Sequence, residues 1–230
     1  MREAAFAYLN QNPLLYSGML EPIRRGTAVL LSAQEGGVLL REERSGAYML
    51  AADTPELGKA LVQRIPECGL VVVHQEYLVQ AVKERFEFGT VLSCHQAVYS
   101  AQKPPRIGAE LEFRALTEDD LPAVCAQYRL LAEEDIRERV QSGAIFGGYQ
   151  KETLVGFVGE HPEGSIGMLE VLPSYRRQGY GAALEAFQIG RMLERGRVPY
   201  AQIIKGNENS LRLHRKLGFE ISESLLYWLF

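Results

Sequence analysis

The chain has 230 residues, 47% of them hydrophobic and 23% charged, with a formal net charge of −4. That length and apolar content suffice for one large or two small cores, and they exclude a disordered or fibrous chain and a general nucleic-acid binder. The longest aliphatic runs, such as Leu70–Val73, are far too short to cross a bilayer, and the opening MREAAFAYLN holds no apolar stretch of signal-peptide length, so the sequence predicts a cytoplasmic protein with no membrane partner.

The first hundred residues read as an alternating α/β unit. Strands are predicted over Thr27–Ser32, Gly37–Arg41, Ala47–Ala51 and Leu70–His74, with a helix over Pro55–Arg64. No basic glycine turn occurs there. Adjacent prolines in Ala101-Gln-Lys-Pro-Pro-Arg-Ile-Gly108 forbid helix and disfavour a central strand, which suggests a boundary between a unit spanning 1–105 and a second spanning 106–230.

The second unit opens with a strand over Leu111–Ala115. Thr117 then caps a helix whose reach-back partner is Asp120 and which runs toward Ala132 or beyond. Thr153–Gly159 and Ser165–Val171 read as antiparallel strands around the turn His161-Pro-Glu-Gly164. From Gly181 the period becomes helical, with Ala182, Ala186, Ile189 and Leu193 on one stripe ending near Gly196. A strand over Tyr200–Lys205, a short helix over Ser210–Leu217 stopped by Gly218, and a terminal strand over Leu225–Phe230 complete the chain.

Between the strand and the long helix lies Leu169-Glu-Val-Leu-Pro-Ser-Tyr-Arg-Arg-Gln-Gly-Tyr-Gly-Ala-Ala-Leu184. Gly179 and Gly181 permit close backbone approach, the first amides of the helix point at whatever anion sits before it, and Arg176 and Arg177 add positive charge. An ordinary strand-to-helix connection with solvated arginines has the same residues. The phosphate-loop signature is absent, and Leu184 stands where a dinucleotide fingerprint needs its third glycine, so a nucleotide triphosphatase or Rossmann dehydrogenase is disfavoured.

Charge is segregated along this half. Residues 111–170 hold 5 basic and 12 acidic side chains, whereas residues 171–217 hold 9 basic and 3 acidic. Arg191, Arg195 and Arg197 read as cations lining a solvated helix end. Cys68, Cys94 and Cys125 are odd in number and widely spaced, and His74, His95, His161 and His214 are equally scattered, which supports neither a disulfide framework nor a metal site.

Arg176-x-x-Gly179-x-Gly181 resembles the acyl-CoA pyrophosphate loop of the GNAT N-acetyltransferase superfamily, and Asn207-Glu-Asn-Ser-Leu-Arg-Leu-His-Arg-Lys-Leu-Gly-Phe219 resembles the same family's closing pattern. The resemblance covers about residues 111–230. It implies an α/β (α+β) fold with a mixed, mostly antiparallel central sheet flanked by helices, and acetyl-CoA or another short acyl-CoA as co-substrate. It also implies transfer of the acyl group to a primary amine of a small molecule by direct attack. The order of the first half loosely resembles the N-terminal region of glycine N-acyltransferase-like proteins, a branch with a degenerate GNAT-like half, which would shape the acceptor cleft or a homodimer face.

By the same resemblance, backbone groups of Leu169 and Val171 pair with the pantetheine arm. Amides around Gln178, Gly179, Gly181 and Ala182 hold the pyrophosphate with the Arg176 and Arg177 charges beside it, Tyr180 within the loop being a packing residue. Asn207 caps the last helix or meets the pantetheine, and Ser210 and Lys216 are candidate contacts to the nucleotide end. His214 stands where the family places a Tyr that protonates the departing thiolate, so it is either a general acid or a helix residue without such a role. Glu170 is a candidate base, as are Glu160 and Glu163 in the preceding turn. A module that binds acyl-CoA without turnover, or a nucleotide-binding regulator, remains the alternative.

Overall fold

Thr54 accepts a hydrogen bond from the Leu57 amide at 3.3 Å with Pro55 following it, and Thr117 forms a reciprocal box with Asp120, so two helical starts lie where the sequence placed them. The computed structural model describes residues 1–230. Its first half runs α1 (Arg2–Leu9), α2 (Ser17–Arg25), β1 (Ala28–Gln34), β2 (Gly37–Glu42), β3 (Tyr48–Ala52), α3 (Pro55–Val62), β4 (Val71–Val73), α4 (Tyr77–Arg85) and β5 (Val91–Val98). The second runs β6 (Glu112–Ala115), α5 (Leu121–Gln127), α6 (Glu133–Gln141), β7 (Ile145–Gln150), β8 (Thr153–Glu160), β9 (Ile166–Val171), α7 (Tyr180–Glu194), β10 (Tyr200–Ile204), α8 (Glu208–Leu217) and β11 (Glu220–Leu229). No helix is long and apolar enough to cross a membrane.

All strands join one 11-stranded sheet in the order β1-β2-β3-β4-β11-β5-β10-β9-β8-β7-β6. Neighbours are antiparallel except β3–β4 and β9–β10. The last strands of the two halves are exchanged: β11 lies between β4 and β5, and β5 lies between β11 and β10. At this centre Leu225–Leu229 pair with Val91–His95, Leu226 and Cys94 are buried, and the Trp228 indole donates to Gln202 Oε1 at 2.6 Å.

Four apolar clusters cover the two faces. Helices α1 and α2 close one around Leu9, Met19 and Leu40, and α3 and α4 close another around Leu61, Leu78 and Val73. Helices α7 and α8 pack over Leu184, Ile189 and Tyr200, and α5 and α6 over Val124, Ile136 and Phe157. The stripe expected on α7 is buried at Ala182, Ala186 and Ile189 and half-buried at Leu193, and Leu184 and Met192 are buried too, because β8, β9 and α8 all pack against the helix.

The helix expected from Thr117 through Ala132 is instead two. The backbone turns extended at Tyr128 (φ −101°, ψ 117°), whose ring goes into the α5–α6 cluster, and resumes helix at Glu133. Burying that ring outweighs the continuity of the helix. The helices α1, α2 and α4 and the strands β5 and β7 carried no clear sequence signal.

Because β5 and β11 are each paired to strands of the other half, thermal unfolding should give one cooperative transition; two resolved transitions in calorimetry would show that the halves melt separately. On β8, a Cβ at Gly156 would lie 2.5 Å from the Glu170 carbonyl oxygen and 2.9 Å from Leu184 Cδ1. Gly156→Ala should therefore cost about 1–3 kcal/mol, read as a lower urea midpoint.

Candidate functional site

Strands β9 and β10 share a single register pair, Ile166–Ala201. Beyond it they part, leaving Gly167–Val171 without a partner on the β10 side. On its other side β9 pairs with β8 around a bulge: three steps from Gly167 to Glu170 oppose two from Gly159 to Phe157, and Met168 takes φ 53°. Met168 packs into the α5–α6 cluster, while Leu169 and Val171 pack against the α7–α8 cluster. Glu170 lies on the face opposite to Leu169 and Val171, as strand alternation requires.

The equivalent parallel pair in the first half is closed. Tyr48, Met49 and Leu50 of β3 meet Val71, Val72 and Val73 of β4 in continuous register. The strand end is then sealed by side chains, since the Ala52 amide donates to Gln75 Oε1 at 3.0 Å and the Tyr77 hydroxyl donates to the Ala52 carbonyl.

After β9 the chain makes a one-turn 3-10 helix at Pro173–Tyr175, then Arg177 at φ 66° and Gly179 at φ 85° deliver it into α7. Gly179 sits at the N-cap with no side chain to cap it, and the amides of Gln178, Gly179, Tyr180 and Gly181 have no acceptor in the protein. The Ala182 amide differs, for it donates to the Gly179 carbonyl at 3.1 Å. Tyr180 buries its ring, in keeping with a packing role. Arg176 Nε donates to the Val171 carbonyl at 3.0 Å, and its guanidinium lies 3.8 Å from Glu170.

An open cavity of about 690 Å³ lies against this loop, walled by Val171, Arg176, Arg177, Gly181, Asn209 and Arg212. A Cβ at Gly181 would point at Val171 Cγ2 (3.6 Å) and Leu213 Cδ2 (4.0 Å), so the glycine holds open the step between loop and strand. Free amides, two arginines on the loop and a third on α8 suit a pyrophosphate, and the exposed edge of β9 suits a chain of amides laid beside it.

Asn207 caps α8, its Oδ1 accepting from the Ser210 amide at 3.1 Å. The wall is built from Asn209 and Arg212, joined by a 2.7 Å hydrogen bond, whereas Ser210 and Lys216 do not line it. The sequence carries a signal for Arg212, since residues two and five beyond the Asn207 cap share a face of the helix.

His214 is 4% exposed and faces α7. Its Nδ1 donates to the Ser210 carbonyl at 2.8 Å and its Nε2 approaches Glu185 Oε1 at 3.2 Å, off the direct hydrogen-bond line. Burial alone pushes this imidazole down, but the Glu185 carboxylate and the Ser210 carbonyl outweigh it, so His214 titrates above its ordinary value. Both neighbours are acceptors, which favours the doubly protonated ring. This arrangement ties α8 to α7.

The turn before β9 corrects the reading of the arginines as solvated. Arg197 is 11% exposed at its side chain, binds Glu160, and donates to the Gly164 carbonyl at 2.8 Å. Arg195 lies 3.3 Å from Glu160, and Arg191 stacks 3.5 Å above the Phe146 ring. Glu160, which also accepts from Gln188 at 2.8 Å, is thus committed to cations. The Glu163 carboxylate accepts from Ser165, and its carbonyl accepts from Arg25 of α2 and from the Tyr200 hydroxyl at 2.8 Å. Glu170 is half-buried, and burial raises its carboxyl with Arg176 partly offsetting.

Residues 111–219 match the model of the acetyltransferase (GNAT) family. Solved structures extend the likeness of fold to the whole chain. A Drosophila protein superposes with a TM-score of 0.68 at 16% identity, over 99% of this chain and 94% of its own. A GCN5-related N-acetyltransferase-like protein from Streptococcus suis (0.55, 15%, 96% and 96%) and a GCN5-related N-acetyltransferase from Kribbella flavida (0.54, 16%, 94% and 93%) are similar in the same way. No curated protein matches the sequence.

Two outcomes are expected from this geometry. Gly181→Val should fold normally yet bind CoA at least tenfold more weakly by calorimetry, and wild-type affinity would remove the loop from the site. For His214, a folded value raised above about 6.5 gives stability that is complete below that pH and lost as pH rises through the folded value. The stability advantage of wild type over His214→Gln should therefore shrink between mildly acidic and alkaline buffer; a constant difference would refute the ion pair.

Proposed function

We propose that this protein is an N-acyltransferase that moves an acetyl or other short acyl group from acyl-CoA to a primary amine of a small molecule. The observation that carries the reading is the β9 edge at Gly167–Val171, free of β10 and running directly into a loop with four unpaired amides. In this reading Leu169 and Val171 bond the pantetheine amides. The amides of Gln178–Gly181, with Arg176, Arg177 and Arg212, hold the pyrophosphate. The thioester then lies beside the bulge, with Glu170 bordering the acceptor side.

Direct attack is favoured over an acyl-enzyme. Burial pushes the Cys94 thiol up to about 12 and raises Cys68 and Cys125 as well, so none is a ready nucleophile. The sealed β3–β4 pair supports a first half that shapes the acceptor cleft and leaves CoA to the second. That division of labour fits the degenerate first half of the glycine N-acyltransferase-like branch, and we read the protein as a cytoplasmic member of it acting on soluble amines.

One observation favours a second reading, an acyl-CoA-binding module without turnover: His214 is spent on Glu185 and stands where the family keeps its thiolate acid. Turnover separates the two. Acetyl-CoA at a hundredfold over its dissociation constant should add about 2.7 kcal/mol of stability, with ADP and NAD adding less, and an amine screen should release thiol. Equal stabilisation by every nucleotide would refute acyl-CoA specificity, and binding without thiol release across the screen would establish the module.

A further inference from the structure

The entrance to β9 gathers more proton-exchanging groups than an acyl-transfer site needs, and most are already engaged. Glu160 is held by Gln188, Arg195 and Arg197, Glu163 by Ser165, and Glu170 lies 3.8 Å from Arg176. His161 is different. The Nε2–Cδ2 edge of its imidazole abuts Gly167, the first residue of β9 past the last pairing with β10, and a Cβ at 167 would overlap the ring. Its Nε2 is 3.3 Å from the Tyr128 hydroxyl, whose ring is buried where α5 breaks.

The placement is built from both halves of the chain. The His161 amide donates to the Ser165 carbonyl at 3.0 Å, and the Gly164 amide donates to the His161 carbonyl at 2.9 Å. Arg25 and Tyr200 grip the Glu163 carbonyl, and Arg197 grips Gly164. Five hydrogen bonds on a four-residue turn fix one ring at the mouth of the opened strands, as a reacting group requires.

Resting on the transferase reading above, we propose that His161, paired with Tyr128, takes the proton from the acceptor amine, and that the amine reaches the thioester from the α5–α6 face. The amine nitrogen bonds to the thioester carbonyl carbon, the C–S bond breaks, and its electron pair leaves on sulfur. One N–H proton passes to the Tyr128 oxygen as the Tyr128 proton moves to His161 Nε2. The imidazole gains the net charge and later yields the proton to water, from which the thiolate is protonated. The phenol remains neutral throughout, in keeping with burial and the charges of Glu163 and Glu170, which push its ionisation well up. An imidazole is the side chain suited to this exchange near neutral pH.

The titratable and charged groups around His161 are Tyr128 after α5, Glu163 on its own turn, Glu160 on β8, Glu170 on β9, Arg25 on α2 and Arg197 before β10. The test uses the full chain with acetyl-CoA, and glycinamide and the far less basic methoxyamine as amine probes, followed by thiol release. His161→Ala and His161→Asn should each lower kcat/KM for glycinamide by about 100-fold or more, and Tyr128→Phe by about tenfold, with acetyl-CoA affinity within about twofold. With methoxyamine, which stays unprotonated near neutral pH, the acidic limb of the pH–rate profile should vanish in both His161 variants, methoxyamine should suffer less than glycinamide, and added imidazole should restore His161→Ala. A folded His161→Asn that keeps the wild-type rate and profile overturns the assignment alone. Wild-type protein that fails to bind acetyl-CoA, or binds it and acylates no amine, overturns the transferase reading and this one with it.

Discussion

Strand β10 is held on one edge by β5 through five antiparallel register pairs and on the other meets β9 at only one. That imbalance is what the site depends on. With β8 anchoring β9 on its far edge, the two parallel strands are pulled apart from Ile166 onward, and backbone groups that a sheet would ordinarily satisfy are left facing a groove. The bulge at Met168 adds to the divergence by turning the strand, and the glycine turn then presents free amides at the groove's open end. The opening is thus a property of sheet order, set by a strand from the first half of the chain.

Charge plays two separate parts in this half. The arginines on the loop and α8 are exposed and poised for an anion, a role in which screening by salt matters. Beyond the end of α7, Arg197 is turned inward to Glu160 and to the Gly164 carbonyl of the turn before β9, and Arg195 reaches Glu160 from the surface. Buried pairs of this kind contribute position more than stability, because their attraction is largely offset by desolvation. Here they fix the entry to β9, so one basic block of sequence serves both ends of the same strand.

The glycine turn, the Thr117–Asp120 box, the Gly218 stop and most of the second half's elements were readable because each rests on local chemistry: a backbone angle, a cap, a periodicity. Tyr128 was not, since a helix-compatible sequence was overridden by the burial of one ring. Neither was the engagement of Arg197, His214 or Glu160, whose ion-pair partners are 29 or more residues away and come together only through the tertiary fold. The linker prolines marked the end of β5 well, but nothing in the strand sequences disclosed that β5 and β11 would trade neighbours. Strand order is a tertiary property, and alternation of apolar residues carries no label for the partner.

That trade has a bearing on how the molecule is made. As the chain leaves the ribosome, β4 and β5 emerge early, but the strand that lies between them is the last of the eleven to be synthesised. Until then Val71–Val73 and Val91–Val98 present unsatisfied edges, the kind of surface on which chains pair with one another. The first half therefore waits on the final strand, and the interval between them is a window in which a chaperone, or the speed of translation, decides between folding and aggregation.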